Sequence, residues 1–263
     1  MAEPILLNHH SGSVIPYCEI GREVFLIFEQ KSPDFNPPWF DNGLCLLGGN
    51  WQKGTFKDTS PDETLKRELE EELWGRYEAP EDLTKLLGQQ IVERKPRVTE
   101  RYGPKDIQKI REVAEIILGE SRRVDDCIVH MFPPAYKRDL VQGASFFVAP
   151  LSEGQFRTIE SILQEYEGVL TTDNLRFDGK TAITTMDKIN KTAHKFAYGN
   201  DNVMNHLIDI EAVPIKTRVK RTIGDLVQVT SMNYSGKAKM RAVGKFPTYA
   251  EFERLGFEYK AAA

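Results

Sequence analysis

One short segment constrains the fold more than any other, because it specifies a helix with both ends marked. Ser60 is a typical N-cap residue, Pro61 suits the first helical position, and Glu63 completes a capping box. Gly75 stands where a helix ends. Between these signals, the apolar positions recur every four residues at Leu65, Leu69 and Leu73. We therefore predict an amphipathic helix over residues 61–74.

Three carboxylates of this helix, those of Glu68, Glu71 and Glu72, are neighbours on its surface, and Glu68 and Glu72 flank the leucine stripe. At about 100° per residue, Glu72 lies about 40° from Glu68, and Glu71 lies about 60° to its other side. A solvated acidic face is one interpretation, but such a face would lie opposite the leucines. Carboxylates at a buried edge repel one another unless a cation is near, and Mg²⁺ prefers their oxygen atoms. The helix geometry alone leaves both interpretations open.

The segment before the helix predicts a buried strand. The apolar run of residues 44–47 ends on Gly48 and Gly49, which predicts a tight backbone turn. Gly49 and the helical run Arg-Glu-Leu-Glu-Glu-Glu of residues 67–72 together resemble the signature of the Nudix hydrolase superfamily. In that signature a glycine and a loop precede Arg-Glu-aliphatic-x-Glu-Glu. The resemblance covers about residues 13–75.

This resemblance implies an α/β/α sandwich around a mixed central sheet. It implies hydrolysis of a pyrophosphate bond in a nucleoside diphosphate linked to another group, with Mg²⁺ or Mn²⁺ as the cofactor. The implied metal ligands are the Gly49 carbonyl and the carboxylates of Glu68, Glu71 and Glu72. The implied catalytic residues are Glu68, Glu71 and Arg67. Arg67 would orient the glutamates, and Glu68 would serve either as a metal ligand or as the general base.

Two departures from the signature favour other functions. Thr55 stands where the family has its first glutamate, at the start of an apparent four-residue insertion in which Asp58 is a partial substitute. Trp74 replaces the glycine that follows the glutamates. One alternative is a catalytically weak Nudix-fold sensor that binds a nucleotide. A second alternative, which rests on a basic C-terminal segment and not on these departures, is a Nudix enzyme that processes RNA ends such as the cap.

Residues 1–212 are predicted to form the Nudix-like domain, with a helical insertion at about residues 76–143. Residues 213–263 are predicted to form a basic, β-rich extension. Periodicity and turn signals predict two strands joined near residues 20–22, then strands at 146–149, 181–186 and 227–232, and helices at 105–120, 156–168 and 191–210.

The chain carries its basic residues unevenly. Residues 216–245 hold eight Lys or Arg and one Asp, a local charge of +7 in a chain of net charge −4. Alternation predicts an aligned basic face on a β-ribbon, which would hold an anionic substrate or RNA. Ordinary charged positions on a solvated hairpin are the alternative. The candidate substrate contacts are Lys237, Lys239 and Arg241, and Trp39 and Phe40 of a proline-rich loop, for which packing on the core is the alternative.

The composition is that of an ordinary globular protein, with 40% hydrophobic and 28% charged residues in 263. The cysteines, Cys18, Cys45 and Cys127, lack metal-ligand spacing and are predicted to be buried thiols. We expect His206 to be structural and Asp125-Asp126 to form a turn. The sequence shows no signal-peptide pattern and no long apolar run, so we expect a cytoplasmic protein with no membrane partner. The nucleotide-type substrate is what the Nudix resemblance implies. The oligomeric state stays open.

Overall fold

The computed structural model describes residues 5–33, 40–52, 56–74, 102–131, 140–166, 168, 170–173, 176–191, 196–197, 199–220 and 227–231. The strands in these ranges are β1 (Ile5–Ile20), β2 (Glu23–Lys31), β3 (Leu44–Cys45), β4 (Leu47–Gln52), β5 (Arg122–Met131), β6 (Leu140–Pro150), β7 (Leu170–Asp173), β8 (Arg176–Thr185) and β9 (Val227–Ser231). The helices are α1 (Pro61–Trp74), α2 (Pro104–Glu120), α3 (Glu153–Glu165), α4 (Met186–Lys191) and α5 (Asn200–Asp209). None of these helices is long and apolar enough to cross a membrane.

The described strands form one mixed sheet. Its order is β7-β8-β2-β1-β6-β5-β9, with β3 paired to β2 and β4 paired to β1. The long central strand β1 is antiparallel to β2 and β4 and parallel to β6. The other described strand pairs are antiparallel. The predicted α/β class with a mixed sheet is therefore confirmed.

Helices cover both faces of this sheet. Val14 and Ile27 pack with residues of α1, α2 and α3 in one core, whereas Ile15 and Phe28 pack with residues of α4 and α5 in the other. Successive side chains of a strand point to opposite faces. The longest apolar runs, at residues 24–28 of β2 and 146–149 of β6, lie where both faces of the sheet are covered.

Two glycine signals have different outcomes. The hairpin between β1 and β2 is confirmed, and Gly21 takes a φ of +64° in its turn. The tight turn predicted at Gly48 and Gly49 is wrong, because both residues lie inside β4 and Gly49 pairs with Gly12 of β1. Gly48 has a φ of +126°, and a Cβ there would lie 2.2 Å from the Gly12 carbonyl oxygen. Only glycine fits this position without strain.

Helix α1 has the bounds that the sequence predicts. The Glu63 amide donates to Ser60 Oγ at 3.3 Å, and the Thr59 amide donates to the Glu63 carboxylate at 2.6 Å. The leucine stripe is buried, as predicted, through Leu65, Leu69 and Leu73. The helix lies close on β1, since a Cβ at Gly12 would lie 3.0 Å from the Pro61 carbonyl oxygen.

The remaining elements follow the predictions with shifted ends. The predicted helix at 191–210 consists, in the described residues, of the last residue of α4 and all of α5. The turn expected at Asp125-Asp126 is wrong, since both residues lie in β5 and pair with β6. The two aspartates therefore point to opposite faces of the sheet.

The predicted insertion and extension both contribute to the sheet. Residues 76–143 supply α2 and β5, and the C-terminal extension supplies β9, which pairs with β5. Where a domain boundary lies stays a prediction. The described residues 216–220 form no strand, contrary to the predicted ribbon, and Arg218 pairs with Asp209 at 2.5 Å.

Candidate functional site

The acidic edge of α1 meets the backbone of β4. The Gly48 amide donates to Glu72 Oε2 at 3.2 Å. A Cβ at Gly49 would lie 2.1 Å from Glu68 Oε2, so the carboxylate of Glu68 rests against this backbone. The glycine pair brings the strand within reach of two glutamates because it has no side chains to separate them.

Arg67 connects the acidic groups to one another. Its Nη1 donates to Glu68 at 2.8 Å and to Glu71 at 3.1 Å. Its Nε donates to Asp58 Oδ2 at 2.8 Å, and its Nη2 donates to the Asn50 carbonyl at 3.0 Å. The planar guanidinium satisfies several acceptors in fixed directions. The contact with Asn50 also ties α1 to β4.

Two further contacts support this guanidinium. Thr64 Oγ1 donates to Asp58 Oδ2 at 3.1 Å, which fixes the carboxylate that binds Arg67. The Phe56 ring lies 3.9 Å from the guanidinium carbon of Arg67, within the range of a cation–π contact. Asp58 therefore supplies a carboxylate at the insertion that the sequence indicates.

Glu72 is the most buried glutamate of α1, with 6% of the residue exposed. Burial raises the pKa of Glu72 well above its ordinary value, and the carboxylates of Glu29 and Glu68 raise it further. Lys31 and the Gly48 amide act in the opposite direction. A carboxylate in this position is costly to ionise unless a cation lies nearby.

A lysine and a glutamate of β2 complete the buried edge. Lys31 Nζ lies 2.6 Å from Glu29 Oε2, and Glu29 is 1% exposed. Burial lowers the pKa of Lys31, but the negative charges of Glu29 and Glu72 outweigh it and hold that pKa above its ordinary value. Sequence analysis missed both residues. The sequence feature that could have predicted them is a pair of oppositely charged residues at alternate positions of a strand, after a buried apolar run. Alternate positions of a strand share a face, here the face of the sheet that α1 covers.

The donor atoms of this cluster fit a hard divalent cation. Glu68, Glu71 and Glu72 offer carboxylate oxygens from neighbouring positions of one helix, and the described cluster offers no imidazole ligand. Oxygen-only donors are those that Mg²⁺ and Mn²⁺ prefer. Glu72 is fixed by a backbone amide of β4, whereas Arg67 binds Glu68 and Glu71, so an ion that takes these two carboxylates competes with the guanidinium.

The structure brings together one part of the predicted site. Arg67 contacts Glu68 and Glu71, Glu68 lies against Gly49, and Glu72 is bonded to the amide of Gly48. Phe40 lies in the bend before β3 and is half-buried. Four other predicted substrate contacts lie outside the described residues: Trp39, Lys237, Lys239 and Arg241. Thr55 lies outside them too.

Comparison of the chain with models of known protein families finds no match. No curated protein matches it either. The chemistry of the site residues is therefore the basis for assigning a function.

Proposed function

We propose that the protein is a Mg²⁺-dependent hydrolase of the Nudix type, which cleaves a pyrophosphate bond in a nucleoside diphosphate derivative. The observation that carries this proposal is that Glu68 and Glu72 of α1 meet the glycine pair of β4, while Arg67 binds Glu68 and Glu71. A solvated acidic face does not account for it, because Glu72 is buried and bonded to the backbone.

Each residue has a distinct task in this proposal. Glu68, Glu71 and Glu72 would hold the cation, and Arg67 keeps Glu68 and Glu71 at fixed positions. Bound Mg²⁺ supplies neutralisation of pyrophosphate oxygens and a water of lowered pKa. Glu68, which rests against Gly49, is the alternative group to accept a proton from the attacking water.

The first experiment is a turnover screen with Mg²⁺ over dinucleotides, nucleotide sugars, nucleoside triphosphates and capped RNA. Glu71→Gln and Glu72→Gln should each lower turnover by at least about 100-fold, since each removes a charged metal ligand. Glu70→Gln is the matched control on the same helix and should retain turnover. Thermal unfolding should show that all three variants fold.

The results separate this proposal from its alternatives. Near-normal turnover in both ligand variants would place the active site elsewhere. Tight nucleotide binding without turnover would favour the sensor, which the absence of the family's first glutamate at position 55 supports. Selective cleavage of capped RNA would favour the RNA-end enzyme, whose predicted basic contacts lie in residues 237–241.

A further inference from the structure

A second cluster of metal-binding side chains lies on the other face of the sheet. Asp125 and Cys127 occupy alternate positions of β5, and both point toward α5. His206 of α5 lies against them. The cluster is therefore separated from the acidic edge of α1 by the sheet.

The three ligand atoms form a compact triangle. Asp125 Oδ2 lies 2.8 Å from His206 Nε2 and 3.4 Å from Cys127 Sγ, and Sγ lies 3.4 Å from Nε2. Ligands of a tetrahedral zinc ion, at their usual bond lengths, stand roughly 3.3–3.6 Å apart. The two distances to Cys127 Sγ already match, and the distance between Asp125 Oδ2 and His206 Nε2 needs to lengthen by roughly half an ångström.

The surrounding contacts fix the cluster before an ion binds. Ser231 Oγ of β9 donates to Asp125 Oδ1 at 2.8 Å, on the oxygen that does not contact His206. Cys127 is fully buried and Asp125 is 3% exposed. Hydrogen bonds to the outer oxygen of a ligating carboxylate are typical of metal sites, because they set its orientation.

His206 lies between the cluster and solvent, and 12% of its side chain is exposed. A polar cleft of about 400 Å³ lies between α5 and β9 and is lined by His206 with Asn205, Asp209 and Thr230. This cleft gives an ion an approach to the cluster along His206. Three protein ligands with one open position is a common arrangement for zinc.

We propose that Asp125, Cys127 and His206 bind a single transition-metal dication, with zinc as the best fit. The mixed oxygen, sulfur and nitrogen donors disfavour Mg²⁺, which prefers oxygen alone. Binding displaces the thiol proton of Cys127 to solvent, and the Nε2 proton that His206 donates to Asp125 moves to Nδ1, so that the Nε2 lone pair can bind the metal. This site does not depend on the hydrolase proposed above.

The test is a titration of the full-length, chelator-treated protein with Co²⁺. We expect a thiolate-to-cobalt charge-transfer band that saturates at one equivalent and disappears when Zn²⁺ is added. Cys127→Ser should abolish the band, and His206→Gln should weaken Co²⁺ binding at least about tenfold. Zn²⁺ at about 100 times its Kd should raise the Tm of the wild type by about 5 °C.

Two control variants identify the site. Cys45→Ser should keep the band, although its thiol lies near the carboxylates of Glu29 and Glu72. Glu71→Gln should keep it too, since that residue belongs to the other site. Folded wild-type protein without the band at tenfold excess of Co²⁺ would overturn the proposal, and so would a band that survives Cys127→Ser. If Cys127→Ser does not fold, the wild-type titration and His206→Gln decide.

Discussion

Arg67 makes the acidic edge of α1 possible at the scale of single residues. One guanidinium binds Asp58, Glu68 and Glu71 and also reaches a backbone carbonyl of β4. Lysine carries the same charge but lacks the planar set of donors. The carboxylates of Asp58, Glu68 and Glu71 stay close together because the positive charge of this guanidinium offsets their mutual repulsion.

Glu72 gives the site a measurable pH dependence. Its pKa in the folded chain lies above the ordinary 4.5, so the folded chain holds a proton that the unfolded chain has lost. The contribution of Glu72 to the free energy of unfolding therefore falls as pH rises from about 4.5 through the raised pKa. With a chelator present, Glu72→Gln should remove this fall and raise the Tm at pH 8 by several degrees.

Thermal unfolding of wild type and variant between about pH 4 and pH 8 provides the measurement. Glu70→Gln should follow the wild type, since Glu70 lies outside the cluster. Mg²⁺ should raise the Tm of the wild type and leave that of Glu72→Gln unchanged. A difference in Tm between the wild type and Glu72→Gln that stays constant with pH would contradict the prediction.

Local spacing predicts some of these residues and not others. Glu68, Glu71 and Glu72 follow from helical periodicity, because their relative positions depend on one element. Glu29 and Lys31 reach the same place from β2, and that proximity depends on pairing between distant strands. His206 is missed for the same reason, since its partners lie about eighty residues earlier, in β5.

At the scale of elements, the contact of α1 with the sheet depends on Gly48. Gly48→Ala should cost about 3 kcal/mol in the free energy of unfolding, because its φ is +126° and the new Cβ would meet the Gly12 carbonyl. The same change should weaken Mg²⁺-dependent turnover, since the Gly48 amide holds Glu72. Urea denaturation measures the first effect.

Gly21→Ala is the matched control for this prediction. Gly21 also has a positive φ, +64°, but among the described residues no atom lies within 4 Å of the position that a Cβ would take there. Its cost should be about 1 kcal/mol, the conformational penalty without the clash. Equal costs for the two variants would mean that the backbone of β4 relaxes away from β1.

The elements themselves differ in how far the sequence predicts them. Helix α1 is predicted to the residue, because Ser60, Pro61 and the leucine stripe act locally. The position of β5 between β6 and β9 has no local signal. The glycine pair of β4 resembles a turn in sequence, and only the pairing with β1 shows it to be strand.

At the scale of the whole molecule, the charges are distributed unevenly along the sequence: residues 216–245 are basic and the rest of the chain has a negative net charge. Replacing Lys237, Lys239 and Arg241 by Ser should raise KM for an anionic substrate and lessen its salt dependence, with kcat nearly unchanged. Steady-state kinetics at low and high salt provide the measurement. A KM insensitive to salt in both the wild type and the triple variant would contradict it.

The parallel seam between β1 and β6 has a consequence for biosynthesis. Ile5 pairs with Leu140, so β1 is synthesised well before its partner β6. At typical rates of translation this delay is on the order of ten seconds. During that time the backbone edge of β1 that later pairs with β6 has no strand beside it, and such an edge is a template for association with other chains. A chaperone that shields this edge would protect the nascent chain from association between the synthesis of β1 and that of β6.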